Sequence, residues 1–472
     1  MMRTATILLL FISASLFGQK KWNLEECINY ALTNNIQIKQ QELNTKISEN
    51  QVLQSKLALI PNLNASLSRN FSHGRRVDSY TNEFTTQNTM SDNYGINSSV
   101  TLFNGFQKLN TIKKNQLDLQ AALSDLDKLK NDISLNVASA YLNVLFNIEL
   151  LETSDKQLAI TIQQEDRIKK LVDAGSSAKG DLLDIQAQKA NEELQKVNNE
   201  NQLAISLLNL KQFLELDTVK DFNIVRPNVS IENMNIPSTP KDVFDYAIAN
   251  LPQIMSAEYR LKASERSLMI AKGMRSPNLT LGLGYNSGYS DARQEIDQIS
   301  MQAQANGGWA QDASGNRLPT YVLYPNYTYK TKSFNDQLRD NASSYLMLSL
   351  NIPIFNGWQV NTNISNSKIN MLNIRYSLDL TKKNLYKEIE QKYLDAIAAK
   401  KKYLATKTSL QAAQEAFVYA DKKYSVGLIN SLDYNQSKNK VTKAQSDLLQ
   451  AKYQYVFAVK ILDFYQGKAI VL

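Results

Sequence analysis

The sequence predicts a duplicated α+β fold in which long antiparallel helical hairpins alternate with pairs of β-strands. Three observations predict it: a tandem repeat, two very long stretches free of glycine and proline, and short segments where the apolar period changes from helical to two. At an offset of 216 residues, Tyr30-Ala31 matches Tyr246-Ala247, Gln37-Ile38 matches Gln253-Ile254, and Pro61-Asn62-Leu63 matches Pro277-Asn278-Leu279. Beyond Leu63 the offset becomes 252, so that Phe103-Asn104-Gly105 matches Phe355-Asn356-Gly357, Tyr141-Leu142 matches Tyr393-Leu394, Gly175 matches Gly427 and Asp181 matches Asp433. The difference of 36 residues is an insertion in the second copy between Leu279 and Phe355, which enlarges one connection and leaves the framework intact.

In chain order, residues 1–18 read as a secretory signal peptide. Arg3 precedes the apolar run 7–12, and small residues follow at Ser13, Ala14 and Ser15. The first copy then occupies 19–226, a proline-containing linker 227–240, and the second copy 241–472. Each copy opens with a shorter helix, about 24–60 and about 241–275, ending at Pro61 and near Pro277. Strands follow: Leu63, Ala65 and Leu67 alternate with Asn64, Ser66 and Ser68, and Tyr94, Ile96, Val100 and Leu102 alternate with polar neighbours. The second copy repeats this with Leu279, Leu281, Leu283 and Tyr285 going up and Leu346, Leu348, Leu350, Ile352 and Ile354 coming back. Then 69 residues pass without Gly or Pro between Gly105 and Gly175, and again between Gly357 and Gly427. At 1.5 Å per residue each allows a helix of roughly 100 Å. Return helices follow over about 181–214 and 432–463, and Leu183, Ala187, Ala190, Leu194 and Val197 form a narrow seam suited to a neighbouring helix.

Composition narrows the function. The formal charge of +8 is scattered without a basic arm, which argues against a nucleic-acid partner. A single Cys and a single His leave no disulfide framework, no Cys/His zinc site and no implied cofactor, and lean away from an enzyme. Cys27 aligns with Val243, so a small buried apolar role is expected, and His73 reads as a solvated residue in the strand connection 71–92. After the leader no run of 18 consecutive apolar residues occurs, so a membrane crossing by the mature chain has to be a closed β-barrel. Tyr94, Tyr285, Tyr289 and Tyr345 are expected near strand ends, where interfacial aromatics belong. Four strands cannot close a barrel, since the smallest have about eight, and three chains together would supply twelve around an aqueous lumen.

Several motifs, in order along the duplicated scaffold, resemble the TolC-type outer-membrane efflux proteins over essentially the whole mature chain. Leu57-Ala58-Leu59-Ile60-Pro61-Asn62-Leu63 is similar to that family's entry into the first strand. Pro353-Ile354-Phe355-Asn356-Gly357 is similar to the exit from its last, and Tyr424-Ser425-Val426-Gly427-Leu428 with Leu432-Asp433 to its helical-tip motif. The resemblance implies a homotrimer in the outer membrane of a Gram-negative bacterium, with a twelve-stranded barrel and a helical tunnel through the periplasm. It implies docking onto a periplasmic adaptor and an inner-membrane pump or ABC transporter, with export of drugs, metal ions, small molecules or proteins. The alternative is a periplasmic coiled-coil spacer without a pore, which would need no lipid-facing alternation.

The informative residues then lie at the tips of the hairpins. Asp181 and Asp433 each stand six residues beyond a tip glycine, Gly175 or Gly427, where an aspartate can cap the next helix. Three-fold symmetry would also gather them into a negative ring favouring cations, thickened by Asp184 and weakened by Gln436 at the equivalent place in the second copy. The resemblance implies a gate in which Tyr424 pairs with Asp181. A basic residue frequent in the family is replaced here by Ile429, with Lys179 as a candidate substitute. It also implies adaptor docking at Val426, Gly427 and Leu428, and at Gly175, although Gly175-Ser176-Ser177 departs from the motif. The insertion, about 287–343, is expected as an enlarged extracellular loop carrying Trp309, Tyr321, Tyr324, Tyr327 and Tyr329.

Overall fold

The computed structural model of the chain describes residues 21–77, 82–86, 88–216, 222–227, 231, 234–237 and 239–471. The expected signal peptide, 1–18, lies outside the described residues, as does part of the expected linker. The first copy runs β1 (Lys21–Trp22), α1 (Leu24–Asn34), α2 (Ile36–Leu57), β2 (Asn62–Ser72), β3 (Arg76–Val77), β4 (Phe84–Thr85), β5 (Thr89–Phe103), α3 (Gln107–Asp173), α4 (Lys179–Phe213) and β6 (Asn223–Ile224). The second runs α5 (Pro240–Asn250), α6 (Pro252–Gly273), β7 (Asn278–Ser290), β8 (Gln294–Gln311), β9 (Arg317–Thr331), α7 (Phe334–Asp340), β10 (Ser343–Asn351), α8 (Gln359–Ser425) and α9 (Ser431–Tyr465). The described residues within 21–50, 116–264 and 370–471 form a helical unit, and those within 51–115 and 265–369 a strand unit.

The long helices α3 and α8 have 67 residues each and the return helices α4 and α9 have 35 each, as the breaker-free stretches require. The shorter helix expected at the head of each copy is instead two helices. In the first copy Asn35 interrupts it, because the Asn35 carboxamide oxygen accepts from the amides of Gln37 and Ile38 and so starts a new helix. In the second, Pro252 has no amide to donate and forces Leu251 out of the helical region, to φ −74° and ψ 132°. Different residues impose the same break at equivalent positions.

Duplication is visible in the core of the helical unit. Cys27 and Val243, Ala31 and Ala247, Val137 and Ile389, and Leu210 and Leu462 are equivalent pairs, and all eight are wholly buried. Tyr141 is buried beside the first set; its hydroxyl donates to the Val225 carbonyl at 2.6 Å and lies 3.2 Å from that of Trp22. It thereby ties the parallel pair β1–β6, which has two residues per strand and hence no periodicity to read. Burial pushes the Tyr141 phenol well above its ordinary value. Helix α3 is long and apolar enough to cross a membrane by length and composition, yet Val137, Tyr141, Val144 and Leu145 are spent on this core.

The seam Leu183, Ala187, Ala190, Leu194, Val197 does not pack within the chain, where all five are exposed. The buried face of α4 is Ile185, Glu192, Asn199 and Ser206, spaced by seven, a largely polar seam that apolar periodicity cannot detect. The apolar stripe is thus left for a surface outside this chain.

In the strand unit the four strands β10-β7-β5-β2 form one antiparallel sheet. Asn62 pairs with Ser99 and Asn278 with Asn351, so both copies adopt the same register at the offsets 216 and 252 read from sequence. One face carries Leu63, Leu67, Ile96, Leu283, Tyr285, Leu346, Leu348 and Leu350, all exposed. The other is Asn, Ser, Thr and Gly with few exceptions, such as Tyr345, whose ring occupies the space a side chain on Gly284 would fill. Among the described residues, β2 and β10 each have an unpaired edge. The strands have 11, 15, 13 and 9 residues, longer in β5 and β7 than the alternation implied, so Tyr94 and Tyr285 sit within strands and not near their ends. The expected loop 287–343 is also corrected: it holds the hairpin β8–β9 and the short helix α7.

Candidate helical-tip site

Each hairpin turn closes with the same backbone device. Gly175 and Gly427 adopt φ of 74° and 78°, which glycine reaches without a Cβ clash. The Ser176 amide donates to the Leu171 carbonyl at 2.8 Å and the Leu428 amide to that of Lys423 at 2.9 Å, satisfying the last carbonyls of α3 and α8. Capping of the next helices differs from expectation. Neither aspartate is the cap: Asn430 caps α9 by accepting from the Asp433 amide at 2.8 Å, and Ala178 starts α4 without any side-chain cap. Both aspartates stand in the first turn, where their charge opposes the helix dipole favourably.

Asp181 accepts from the Ser177 hydroxyl at 2.7 Å and so stiffens its own turn. Asp184 accepts from the Ser431 hydroxyl at 2.9 Å, linking the start of α4 to the start of α9. Among the described residues, Asp181, Asp184 and Asp433 hold no ion pair, so their charge is available. Tyr424 and Asp181 form no hydrogen bond among the described residues. Burial raises the Tyr424 phenol above its ordinary value, with the Asp181 and Asp184 charges adding to the shift and Arg167 opposing it. Arg167 of α3 is thus a cation whose field reaches Tyr424. Val426, Leu428 and Leu432 are 69%, 74% and 60% exposed, an apolar tip left uncovered among the described residues.

Sequence reading missed the residue that joins these parts. Tyr434, 3% exposed, stacks on Tyr424 with centroids 4.6 Å apart, lies 5.4 Å from the Phe417 ring, and accepts a hydrogen bond from the Gln164 carboxamide. From α9 it touches α3 and α8 at once. Burial pushes its phenol up to about 12, with Asp421 adding to the effect. Because the folded value exceeds the ordinary 10.0, this group contributes stability that is complete below pH 10 and is lost as pH rises through about 12. Tip opening, followed by protease sensitivity of the turns, is expected to increase over that window, and Tyr434→Phe to blunt the increase.

A second missed cluster lies between α3, α4 and α9. The Lys438 ammonium is 3.2 Å from Glu192, and the Thr161 hydroxyl accepts from Lys438 and donates to Glu192. All three residues are buried. Gln157 Nε2, Gln164 Oε1 and Asn435 Oδ1 in the same band are buried without a partner among the described residues, so this interface is not fully satisfied. The signal was present in the repeat: Lys438 stands opposite Gln186, and Glu192 opposite Ala444, so a charge occurs in one copy only.

Comparison with known proteins bears on the family and the fold. The profile of the family described as outer membrane efflux protein matches residues 27–214 and 243–468. The chain is 20% identical over 435 residues to the outer membrane efflux protein BepC of Brucella suis, covering 91% of this chain and 81% of that protein. It is 21% identical over 397 residues to the outer membrane protein TolC of Escherichia coli K12, covering 77% and 71%. The Campylobacter jejuni CmeC outer membrane channel superposes with a TM-score of 0.73 at 14% identity, covering 94% of this chain and 85% of that one.

Proposed function

Since this chain belongs to the outer membrane efflux protein family, we propose that three copies assemble into one channel, each contributing four strands to a twelve-stranded barrel. The protein is an outer-membrane efflux channel with a TolC-like fold, extending into the periplasm, and serves as the exit duct of a tripartite export system. The observation that carries the trimer is the sheet: one face apolar and exposed, the other polar, and both edges open. An open sheet cannot remain so in lipid, where every backbone amide and carbonyl must be paired. Pairing β10 of one copy with β2 of the next closes the wall, places the leucines in lipid and leaves Asn, Ser and Thr around the lumen. The exposed seam on α4 finds a neighbour in the same arrangement. A spacer without a pore gives no account of the apolar sheet face.

Periplasmic tip residues complete the reading. Asp181, Asp184 and Asp433, tripled by symmetry, form an acidic constriction, and Tyr424 with Tyr434 holds it closed. Val426, Gly427 and Leu428 offer an apolar docking surface to a periplasmic adaptor, which connects the channel to an inner-membrane pump or ABC transporter. Gly175, whose turn carries serines instead of apolar residues, contributes less.

The duplication also specifies the junction. Within the chain β5 pairs with β7, Ser98 opposite Leu283. Transposed by the two offsets, Leu350 of one copy faces Leu67 of the next. Opposed residues in an antiparallel pair are about 4.5–5.5 Å apart at Cα, which suits a disulfide. Oxidation of a Leu67→Cys/Leu350→Cys variant on a Cys27→Val background is expected to yield covalent trimers, with either single substitution yielding none. Monomers after oxidation of a protein that still inserts into membranes would defeat the shared-barrel reading.

A further inference from the structure

The hairpin β8–β9 is amphipathic in a way that the efflux reading does not use. Ile299 faces Tyr327, Ala303 faces Leu323 and Ala305 faces Tyr321, while the alternate positions pair Gln298 with Thr328 and Ser300 with Asn326. A bulge at Asp297 brings Ile296, opposite Tyr329, onto the apolar side. One face is thus aliphatic and aromatic, and the other is mainly amide and hydroxyl, interrupted by Tyr324 opposite Gln302 and Val322 opposite Gln304. Ile299, Met301, Leu323 and Tyr321 are each at least 60% exposed. A two-stranded sheet in water is marginal by itself, and an apolar face of this length requires cover.

The hairpin is not a loose loop. At its tip the Asp312 carboxylate accepts from the amides of Ser314 and Asn316 at 2.9 and 2.8 Å, fixing the turn. At its root the wholly buried Gln337 of α7 accepts from the Ser290 amide and donates to the Ser290 carbonyl, clamping the end of β7. The Met90 amide donates to Asp291 at 2.8 Å. The hairpin is therefore built onto the rim of the four-stranded sheet, and β8 follows β7, the strand beside the open edge strand β10.

We propose that the apolar face of this hairpin packs against the same face of the hairpins of the other two copies, forming a collar at the extracellular mouth. The inference rests on the trimeric reading above. Three amphipathic two-stranded sheets can turn their apolar faces to a three-fold axis and their Gln, Ser, Asn and Thr faces to water. At about 3.3 Å per residue the 18 residues of β8 reach roughly 60 Å, enough for hairpins rooted on one rim to converge. Charge argues against a lipid headgroup as the occupant. The neighbouring cations are already engaged: Lys330 with Asp297 at 3.1 Å, Lys332 with Asp340, and Arg317 over the Trp309 ring at 4.1 Å. The face itself is uncharged and rich in tyrosine, a composition typical of protein interfaces.

The full-length protein tests this with two single substitutions on the Cys27→Val background. Leu323→Cys lies on the apolar face and Gln302→Cys on the polar face. Oxidation is expected to convert Leu323→Cys into covalent dimers, with loss of its reaction toward a water-soluble maleimide, while Gln302→Cys stays unlinked and labels fully. If the Leu67–Leu350 link forms but Leu323→Cys labels as freely as Gln302→Cys, the collar is overturned and the channel reading stands. If neither link forms, both readings fall. Shielding of Leu323→Cys only in vesicles, with a bound fluorophore there quenched by brominated lipid chains, would place the hairpin in the membrane and overturn the collar.

Discussion

Tyr434→Ala is expected to raise the conductance of the channel in planar bilayers by a larger factor than Tyr424→Ala or Asp181→Ala. Tyr434 is 3% exposed and joins α9 to α3 and α8 at the tip, whereas Tyr424 is half-buried and Asp181 bonds within its own turn. Truncating a buried aromatic to alanine costs about 3–5 kcal/mol. If even ~3 kcal/mol of that is specific to the closed packing, the open population increases about a hundredfold, at ~1.4 kcal/mol per factor of ten. Single-channel recording measures the change, and far-UV circular dichroism verifies that the long helices persist. Wild-type conductance from a correctly assembled Tyr434→Ala trimer would remove Tyr434 from the gate.

Lys438→Met is expected to be the most destabilising single change in the helical unit. It leaves the buried Glu192 carboxylate with the Thr161 hydroxyl and the Gln188 carboxamide but no countercharge, and an orphaned partner of a buried pair typically costs about 3–5 kcal/mol. Burial lowers the pKa of the Lys438 ammonium while Glu192 raises it, the balance lying with burial, so the pair is under electrostatic load even when intact. The double variant Glu192→Met/Lys438→Met is accordingly expected to recover most of the loss, because a packed apolar pair avoids the desolvation penalty. Thermal unfolding in detergent, compared across the two singles and the double, reads the coupling. A loss in the double variant equal to the sum of the two single losses would show that the pair contributes nothing as a pair.

The sheet and the tip were legible to different degrees for physical reasons. Alternation exposes a one-sided strand directly, so Leu63, Ala65 and Leu67 sufficed to place β2, and the matching register of the second copy follows from duplication. Helix length was legible because nothing between Gly105 and Gly175 can stop a helix. The break at Pro252 was also open to reading, since proline lacks the required donor; the break at Asn35 was not, because an asparagine caps a helix only if the local backbone lets its side chain reach back. The cap at Asn430 rather than Asp433 belongs with this second kind, for both residue types cap well.

What the sequence by itself determined was one-dimensional: the duplication, the lengths of the helices, the sidedness of the strands and the insertion in one connection. Each depends on neighbours along the chain, through steric limits on the backbone and the periods of helix and strand. Only the tertiary structure decided which long-range faces meet. It turned the apolar seam of α4 outward and its polar heptad inward, brought Tyr434 against Gln164, and buried Lys438 with Glu192. Those contacts join residues about 250 positions apart or more, and no local preference encodes which of several compatible helix faces pack together; that choice is made by the summed burial and hydrogen bonding of the whole assembly.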